Sequence, residues 1–232
     1  MLDLKRSVAD LVLEHSECAP IFERHRIDFC CRGNVSILEA GRAAGVQLDT
    51  LERELLLAIE SRSGPPGESL RELETRELLE HIIRAHHGYL RTTLPFAAHL
   101  ASKVSRVHGS RNPKLRDLEV AVVSLAEALT EHINEEEAAL FPELVSETPN
   151  REKIDEAFSA MRAEHLGVSS MLESIRSRAD EFVPPDWACN SYRTLLSELE
   201  KLERDTHAHV HLENHLLAPR FVVVTSHDTP RE

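Results

Sequence analysis

The sequence is poor in the residues that β-sheet folds and disulfide-rich folds need. Aromatic residues make up 4% of its 232 positions, and it has only 8 glycines and 4 cysteines. Few aromatic residues argue against a β-sandwich or a β-barrel. The cysteines are too few and too irregularly spaced for a disulfide framework, and no Cys-x-x-Cys pair is present for a thiolate zinc site. Leu, Ala, Glu and Arg dominate instead, so we predict an all-α fold.

Positive charge and long apolar segments are also scarce. Lys and Arg number 27 against 40 Asp and Glu, a formal net charge of −13, which argues against binding to nucleic acid. No uninterrupted apolar run approaches about 18 residues, so we expect no membrane-spanning segment. The N-terminus has neither the apolar core nor the cleavage site of a secretory signal, and we therefore expect a cytoplasmic protein.

The most informative pattern is a repeated His-x-x-x-Glu motif. It occurs at His132 and Glu136 and again at His209 and Glu213, and Leu-x-Pro follows each time. On an α-helix, residues four apart lie above one another and can meet a single metal ion. The spacing alone is weak evidence in a chain with 14 histidines.

A further histidine precedes each motif at a similar distance. His86 is separated from His132 by 45 residues, and His165 is separated from His209 by 43. Such an interval fits two antiparallel helices with a loop between them, so the two halves predict a four-helix bundle with its ligands at one level. The predicted metal ligands are His86, His132, Glu136, His165, His209 and Glu213.

The predicted ligands fall within stripes of apolar residues that recur every three or four positions. Core histidines with ordinary hydrogen-bond partners are the alternative, but two glutamates on inward faces would be costly without a cation. Four imidazoles and two carboxylates suit iron, manganese or zinc, and the glutamates are natural bridges between two ions. The neighbouring histidines fall off the stripes and are predicted to be surface or supporting groups: His87, His207, His211 and His215.

Proline and glycine mark the domain organisation. The Pro/Gly-rich run before the bundle reads as a linker. Capping boxes at Ser36 and Asp49 predict helices before it, and a bundle helix near Thr75 should bend or break at Pro95. The predicted units are a small helical domain (1–60), a linker (61–69), the bundle (70–221) and a C-terminal tail (222–232).

Two adjacent cysteines, Cys30 and Cys31, lie in a predicted polar loop of the N-terminal unit, beside Arg32. A neighbouring cation favours the thiolate, the form that attacks disulfides or binds soft metals. For Cys18 and Cys189 we favour the alternative of a small buried hydrophobe. The pair is therefore a candidate for redox chemistry or iron transfer.

The spacing of the metal motifs points to a known family. Ferritin-like di-iron sites need Glu-x-x-His, which the chain lacks. Its His-x-x-x-Glu motifs with isolated upstream histidines resemble hemerythrin-like (HHE) cation-binding domains. The segment from Ala19 to Gly33, with its Cys-Cys pair, resembles the N-terminal domain of the RIC proteins, the di-iron proteins that repair iron–sulfur clusters. One departure is Ala218, where the family commonly has Phe.

This resemblance covers nearly the whole chain and implies its function. It implies two non-haem iron ions at the six ligands, bridged by Glu136 and Glu213, and a role in nitrosative and oxidative stress. It also implies that Cys30 and Cys31 act alongside the iron on damaged iron–sulfur proteins, with the protein as an iron donor or a nitric oxide binder. Two alternatives stay open, namely a nitric-oxide- or oxygen-binding module without repair activity and a di-iron nitric oxide reductase. The sequence also leaves open whether the protein forms a homodimer.

Overall fold

The structure, a computed structural model, describes residues 2–61 and 70–221, and most of this part is helical. The predicted all-α class is confirmed, since an antiparallel bridge between Ser7 and Ser36 is the only β pairing in the described residues. No helix among them is long and apolar enough to cross a membrane. The predicted linker beyond Ser61 and the predicted tail lie outside the described residues.

Ten α-helices form an N-terminal unit and a bundle. The N-terminal unit contains α1 (Val8–Glu14), α2 (Ala19–Arg24), α3 (Ile37–Ala43) and α4 (Leu48–Ser61). The bundle contains α5 (Thr75–Ile82), α6 (Gly88–His108), α7 (Lys114–Glu135), α8 (Phe141–Leu144), α9 (Arg151–Arg178) and α10 (Asn190–Leu212). Three π-helical turns continue α5, α7 and α10: Ile83–His87, Glu136–Leu140 and Glu213–Leu217.

Local capping explains where several helices begin. The predicted capping box is present at Ser36, whose side chain accepts from the Glu39 amide while Glu39 accepts from the Ser36 amide. The prediction that Asp49 caps α4 was wrong, because the Gln47 carbonyl already accepts from the third and fourth residues that follow it. Asp49 instead lies in the first turn, where its negative charge stabilises the helix end.

Pro95, predicted to bend or break its helix, lies inside α6 and does not break it. Proline removes one backbone donor and leaves the carbonyl of the residue four positions earlier, Arg91, without its usual partner. Both residues lie on the exposed face of α6, where water can hydrogen-bond that carbonyl. The opposite face, with Leu94 and Ala97, stays buried in the bundle.

Two apolar clusters enclose one polar layer in the bundle. One cluster includes Leu90, Leu125 and Leu195, and the other includes Leu79 and Phe158. In each of the four helical segments of the bundle, the buried His and Glu residues lie between members of one cluster and members of the other. The fold therefore holds its polar groups in a layer that is shielded from water on both sides.

The N-terminal unit packs directly against α10. Its apolar core takes in Val210, which is 3% exposed. Ion pairs surround this contact, including Arg71 with Asp10 at 2.9 Å and His207 with Glu23 at 3.4 Å. The domain boundaries stay predictions, but the contact fixes the cysteine loop on the helix that carries one of the His-x-x-x-Glu motifs.

Replacement of Gly33 by Ala should destabilise the N-terminal unit. A Cβ at this position would lie 2.3 Å from the Phe29 carbonyl oxygen and 2.8 Å from the Ala9 Cβ, so the loop must shift. We expect a loss of about 1–3 kcal/mol in the free energy of unfolding, measured by denaturant titration. Gly167→Ala is the matched control, because a Cβ there meets nothing within 4 Å in α9 and should stabilise the helix by about 0.5–1 kcal/mol. Equal effects of the two changes would contradict the close packing of the loop.

Candidate metal centre

Six buried side chains form two overlapping groups at the polar layer of the bundle. Each group contains two histidines, and both groups share Glu136 and Glu213. The ligand atoms within each group lie within 4.8 Å of one another. The histidines of the first group are His87 and His209, and those of the second are His132 and His165.

The histidines in each group face each other through their Nε2 atoms. The His87 and His209 Nε2 atoms are 3.2 Å apart, and the His132 and His165 Nε2 atoms are 3.3 Å apart. Two neutral imidazoles cannot stay in this arrangement with lone pairs facing unless a proton or a cation lies at the group. The arrangement is therefore that of ligands around a centre of positive charge.

Each glutamate directs one oxygen to each group. Glu136 Oε2 lies 3.3 Å from His87 Nε2, and Glu136 Oε1 lies 3.5 Å from His132 Nε2. Glu213 divides its oxygens in the same way, with Oε1 at 2.8 Å from His209 Nε2 and Oε2 at 3.2 Å from His165 Nε2. A carboxylate with one oxygen in each of two sites has the geometry of a bridge.

Outer hydrogen bonds fix the direction of three rings. His87 Nδ1 donates to Glu137 at 2.7 Å, and His132 Nδ1 donates to Glu164 at 3.0 Å. His165 Nδ1 donates to the Asn214 side-chain oxygen at 3.1 Å. Since Nδ1 carries the proton in each case, Nε2 is left as the lone-pair atom that a metal ion needs.

The electrostatics of the layer favour a bound cation. Burial raises the pKa of Glu136 well above its usual value, and the charge of Glu213 adds to this effect. Burial also raises the pKa of Glu213, but the charge of His209 and its 2.8 Å contact with Glu213 Oε1 outweigh it and hold that pKa well below its usual value. Without a cation, the charged form is therefore favoured for Glu213 and disfavoured for Glu136.

The residues present fit two metal ions. Both oxygens of Glu136 and Oε2 of Glu213 are buried without a hydrogen-bond partner, so their desolvation is uncompensated by the protein. Burial, with the nearby charge of His209, lowers the pKa of His87 to about 4, which keeps its ring neutral and available as a ligand. Nitrogen and oxygen donors in this number suit two iron ions.

The π-helical turns lie at the ligands. One turn ends at His87, one begins at Glu136, and one begins at Glu213. A π turn accommodates one more residue than an α turn and is frequent at functional sites. The second and third turns are followed within two residues by Pro142 and Pro219, which cannot continue the hydrogen-bond ladder. The repeated Leu-x-Pro is thus the end of each wide turn.

The structure corrects one of the six predicted ligands. The His86 imidazole lies outside both groups, donates from Nδ1 to Asp205 at 3.0 Å and stacks on the His209 ring at 5.4 Å. His87, predicted to be a surface or supporting group, is fully buried and occupies the ligand position. The reason is the π turn Ile83–His87, whose extra residue shifts the helix phase by one position relative to the pattern of Leu79 and Ile82.

A signal in the sequence could have identified His87. It is separated from His132 by 44 residues, which matches the 43 residues between His165 and His209 more closely than His86 does. The other five predicted residues lie together in the two groups. Their role as ligands of iron stays a proposal.

Two other histidines, predicted to be surface or supporting groups, do not lie at the surface. His211 is 3% exposed, and its Nδ1 donates to the Phe29 carbonyl at 3.0 Å. His215 is partly buried and contacts the His211 ring at 5.1 Å between ring centres. Both lie under the N-terminal unit, whose docking the sequence pattern does not reveal.

The cysteine loop is a compact turn rather than an open one. The Asp28 carboxylate accepts from the Cys30 amide at 3.0 Å and the Cys31 amide at 2.8 Å. The two sulfur atoms are 3.6 Å apart, and the thiols are free. Cys30 is buried and Cys31 is partly exposed.

The environment of Cys30 favours the thiol. Its hydrogen bond with Cys31 raises the pKa of the Cys30 thiol well above its usual value, and burial and the Asp28 charge raise it further. The expected thiolate therefore does not apply to Cys30. The accessible member of the pair is Cys31.

A single residue joins the cysteine loop to the metal groups. The Asn214 amide nitrogen donates to the Cys30 carbonyl at 2.9 Å, while its oxygen accepts from His165 Nδ1. Asn214 follows Glu213 directly, so the loop, the bridging carboxylate and the orientation of His165 depend on one turn of helix. No signal in the sequence pattern singled out Asn214.

Models of known protein families match both the bundle and the N-terminal unit. Residues 78–221 match the model of the hemerythrin HHE cation binding domain, and residues 4–58 match a domain of unknown function named ScdA_N. The chain is 32% identical over 216 residues to an iron-sulfur cluster repair protein YtfE from Yersinia pseudotuberculosis, covering 93% of this chain and 96% of the relative. It is 30% identical to an iron-sulfur cluster repair protein ScdA from Staphylococcus haemolyticus, covering 95% of this chain and all of the relative.

The choice between His86 and His87 is open to a direct test. We expect His87→Ala to lose at least one of two irons per chain, because its Nε2 lies 3.2 Å from the His209 Nε2. His86→Ala is the matched control and should keep both irons, since its ring faces Asp205. Iron per chain after dialysis against a chelator measures the difference. Loss of iron from the control alone would restore His86 as the ligand.

Cysteine reactivity should follow exposure. Cys189 was predicted to be buried, but it is exposed. In the folded protein near neutral pH we therefore expect an alkylating reagent to label Cys31 and Cys189 first. Cys30 should react only on unfolding, as should Cys18, because burial and the nearby Glu17 charge raise the pKa of the Cys18 thiol to about 12. Peptide mass spectrometry after timed labelling gives the order. Equal rates for Cys30 and Cys31 would mean that the loop opens in solution.

Proposed function

Because this chain belongs to the hemerythrin HHE cation binding family, we propose that it is a non-haem di-iron protein that repairs iron–sulfur clusters damaged by nitrosative or oxidative stress. The observation that carries the proposal is the docking of a two-cysteine loop onto the helix turn that bears a bridging glutamate. The printed names of the relatives support it, because those proteins match this chain over nearly its whole length.

The six residues of the two groups, which we call the cage, have distinct roles in this proposal. His87 and His209 would hold one iron, His132 and His165 would hold the other, and the two carboxylates would contribute to both. Bound iron supplies Lewis-acid and one-electron redox chemistry at the layer. The apolar clusters on both sides exclude water, and Nδ1 hydrogen bonds hold the imidazoles of His87, His132 and His165 in the tautomer that binds metal.

Four protein atoms for each iron leave room for a small ligand. We propose nitric oxide or oxygen as that ligand. A module that only binds such a gas would need the cage but not the cysteine loop, and a nitric oxide reductase would likewise have no need of two thiols. The loop therefore favours repair over both alternatives.

We propose that Cys31 is the thiol that receives iron from the cage or reacts with a partner protein. It is the accessible member of the pair, and Cys30 lies close enough to assist it. The partners would be proteins with damaged iron–sulfur clusters. The carbonyl of Cys30 accepts from Asn214, which gives the loop a hydrogen-bonded connection to an imidazole of the cage.

Location and assembly belong to the same proposal. The four cysteines, all in the described part of the chain, are free thiols, as expected for the reducing cytoplasm. A homodimer is not required by the site, since all six cage residues come from one chain. The excess of negative charge is consistent with protein partners rather than nucleic acid.

Removal of both thiols should separate repair from iron binding. We expect Cys30→Ser/Cys31→Ser to keep its iron, its visible spectrum and its response to nitric oxide, because no cage residue is changed. The same variant should lose repair of a damaged [4Fe–4S] enzyme in cell extract. Cys189→Ser, which removes an exposed thiol elsewhere, is the matched control and should repair normally.

Other outcomes of this experiment would change the proposal in defined ways. Normal repair by the double variant would make the cysteines structural and give the lead to the gas-binding module. Loss of iron from the double variant would mean that the thiols belong to the metal site, and that the cage of six residues is incomplete.

A further inference from the structure

Two histidines of α10 and its π turn lie on the side away from the cage. His211 is two residues after His209, and His215 is two residues after Glu213. Two residues turn an α-helix by about 200°, so His211 points away from the cage and toward the N-terminal unit. His211 and His215 are four apart, as are His209 and Glu213, and they form a second pair of possible ligands on the opposite face.

A hydrogen bond to the cysteine loop fixes the tautomer of His211. Its Nδ1 lies 3.0 Å from the Phe29 carbonyl oxygen. A carbonyl oxygen only accepts, so this ring nitrogen must carry the proton, and Nε2 of His211 is the nitrogen with the lone pair. Nε2 of His215 likewise has no hydrogen-bond partner in the protein.

Both Nε2 atoms are buried without a partner in the protein. Neither His211 Nε2 nor His215 Nε2 has a hydrogen-bond partner, and His211 is 3% exposed. Buried polar atoms in folded proteins nearly always have a partner, so these two atoms on neighbouring rings need one that the protein itself does not supply. A Nδ1 proton donated to a carbonyl with Nε2 left free is also the usual state of a metal-binding histidine.

The separation of the rings fits a shared ion. Their centres are 5.1 Å apart, against 4.9 Å for His87 and His209 and 5.0 Å for His132 and His165. With metal–nitrogen distances of about 2.0–2.1 Å and tetrahedral angles, two imidazoles on one ion have centres roughly 5 Å apart. The pair thus has the ring spacing of the cage pairs and of a single tetrahedral ion.

We infer that His211 and His215 bind a third metal ion through their Nε2 atoms, separately from the cage. Two neutral imidazoles favour a borderline divalent ion of the iron-to-zinc series. No third His, Cys, Asp or Glu completes a group with this pair in residues 2–61 and 70–221, so water or a small ligand fills the other positions. His211 also lines a cavity of about 800 Å³ between the N-terminal unit and the bundle.

Cobalt(II) tests the inference on the iron-loaded full chain. We expect one cobalt ion per chain to bind with the intense visible absorption of a tetrahedral site, while both irons are retained. His211→Asn and His215→Asn each remove the Nε2 lone pair but keep an amide nitrogen near the place of Nδ1. Each should weaken cobalt binding by at least about tenfold, as expected when a direct ligand is lost. The double variant should not show the band.

The controls separate this site from other sources of cobalt binding. His99→Asn removes an exposed imidazole of α6 and should leave the titration unchanged. Iron content measured in the same samples reports whether cobalt has displaced cage iron, and a band that persists in the double variant would overturn the inference. X-ray absorption at the cobalt edge of the unmodified protein should show two imidazoles, whether or not the variants fold. A spectrum without imidazole scattering would also overturn it.

Discussion

Two carboxylates buried side by side are the constraint on which the rest of the structure depends. Glu136 is 4% exposed and Glu213 is 0% exposed, and a pair of unshielded negative charges in such a place is strongly unfavourable. Four imidazole nitrogens face these carboxylates, and apolar layers close the bundle on either side. The arrangement is stable as a cage for cations, since bound positive charge compensates the desolvation that the protein itself leaves uncompensated.

Geometry at the cage requires departures from regular helix. Four helical segments supply the cage residues, and three of them have a π turn at a ligand. The fourth segment is α9, which carries His165 and has no π turn. A wide turn rotates the following side chains and allows one residue more per turn, so a ligand can point inward without moving the apolar stripe above or below it. The departures from α-helical geometry are thus confined to the turns that carry cage residues, and the long helices keep regular packing.

The cysteine loop and the cage share a helix end. His211 and Asn214 hydrogen-bond the backbone of Phe29 and Cys30, and Asn214 also orients His165. The loop is therefore held on the bundle rather than free to swing on a linker. Its two thiols differ in exposure, since Cys30 is buried and Cys31 is partly exposed.

The sequence by itself determined the all-α class, the bundle and five of the six residues in the metal groups. These follow from helical periodicity, which repeats the His-x-x-x-Glu spacing and places polar residues within apolar stripes. Only the tertiary structure decided between His86 and His87, because the π turn that shifts the phase has no signature in a pattern built on 3.6 residues per turn. Only the tertiary structure, too, brought His211 and Asn214 to the cysteine loop. Such contacts join residues more than 180 positions apart, and their partners are backbone carbonyls. Every residue has a backbone carbonyl, so the residue types in the sequence do not indicate which carbonyl accepts the bond.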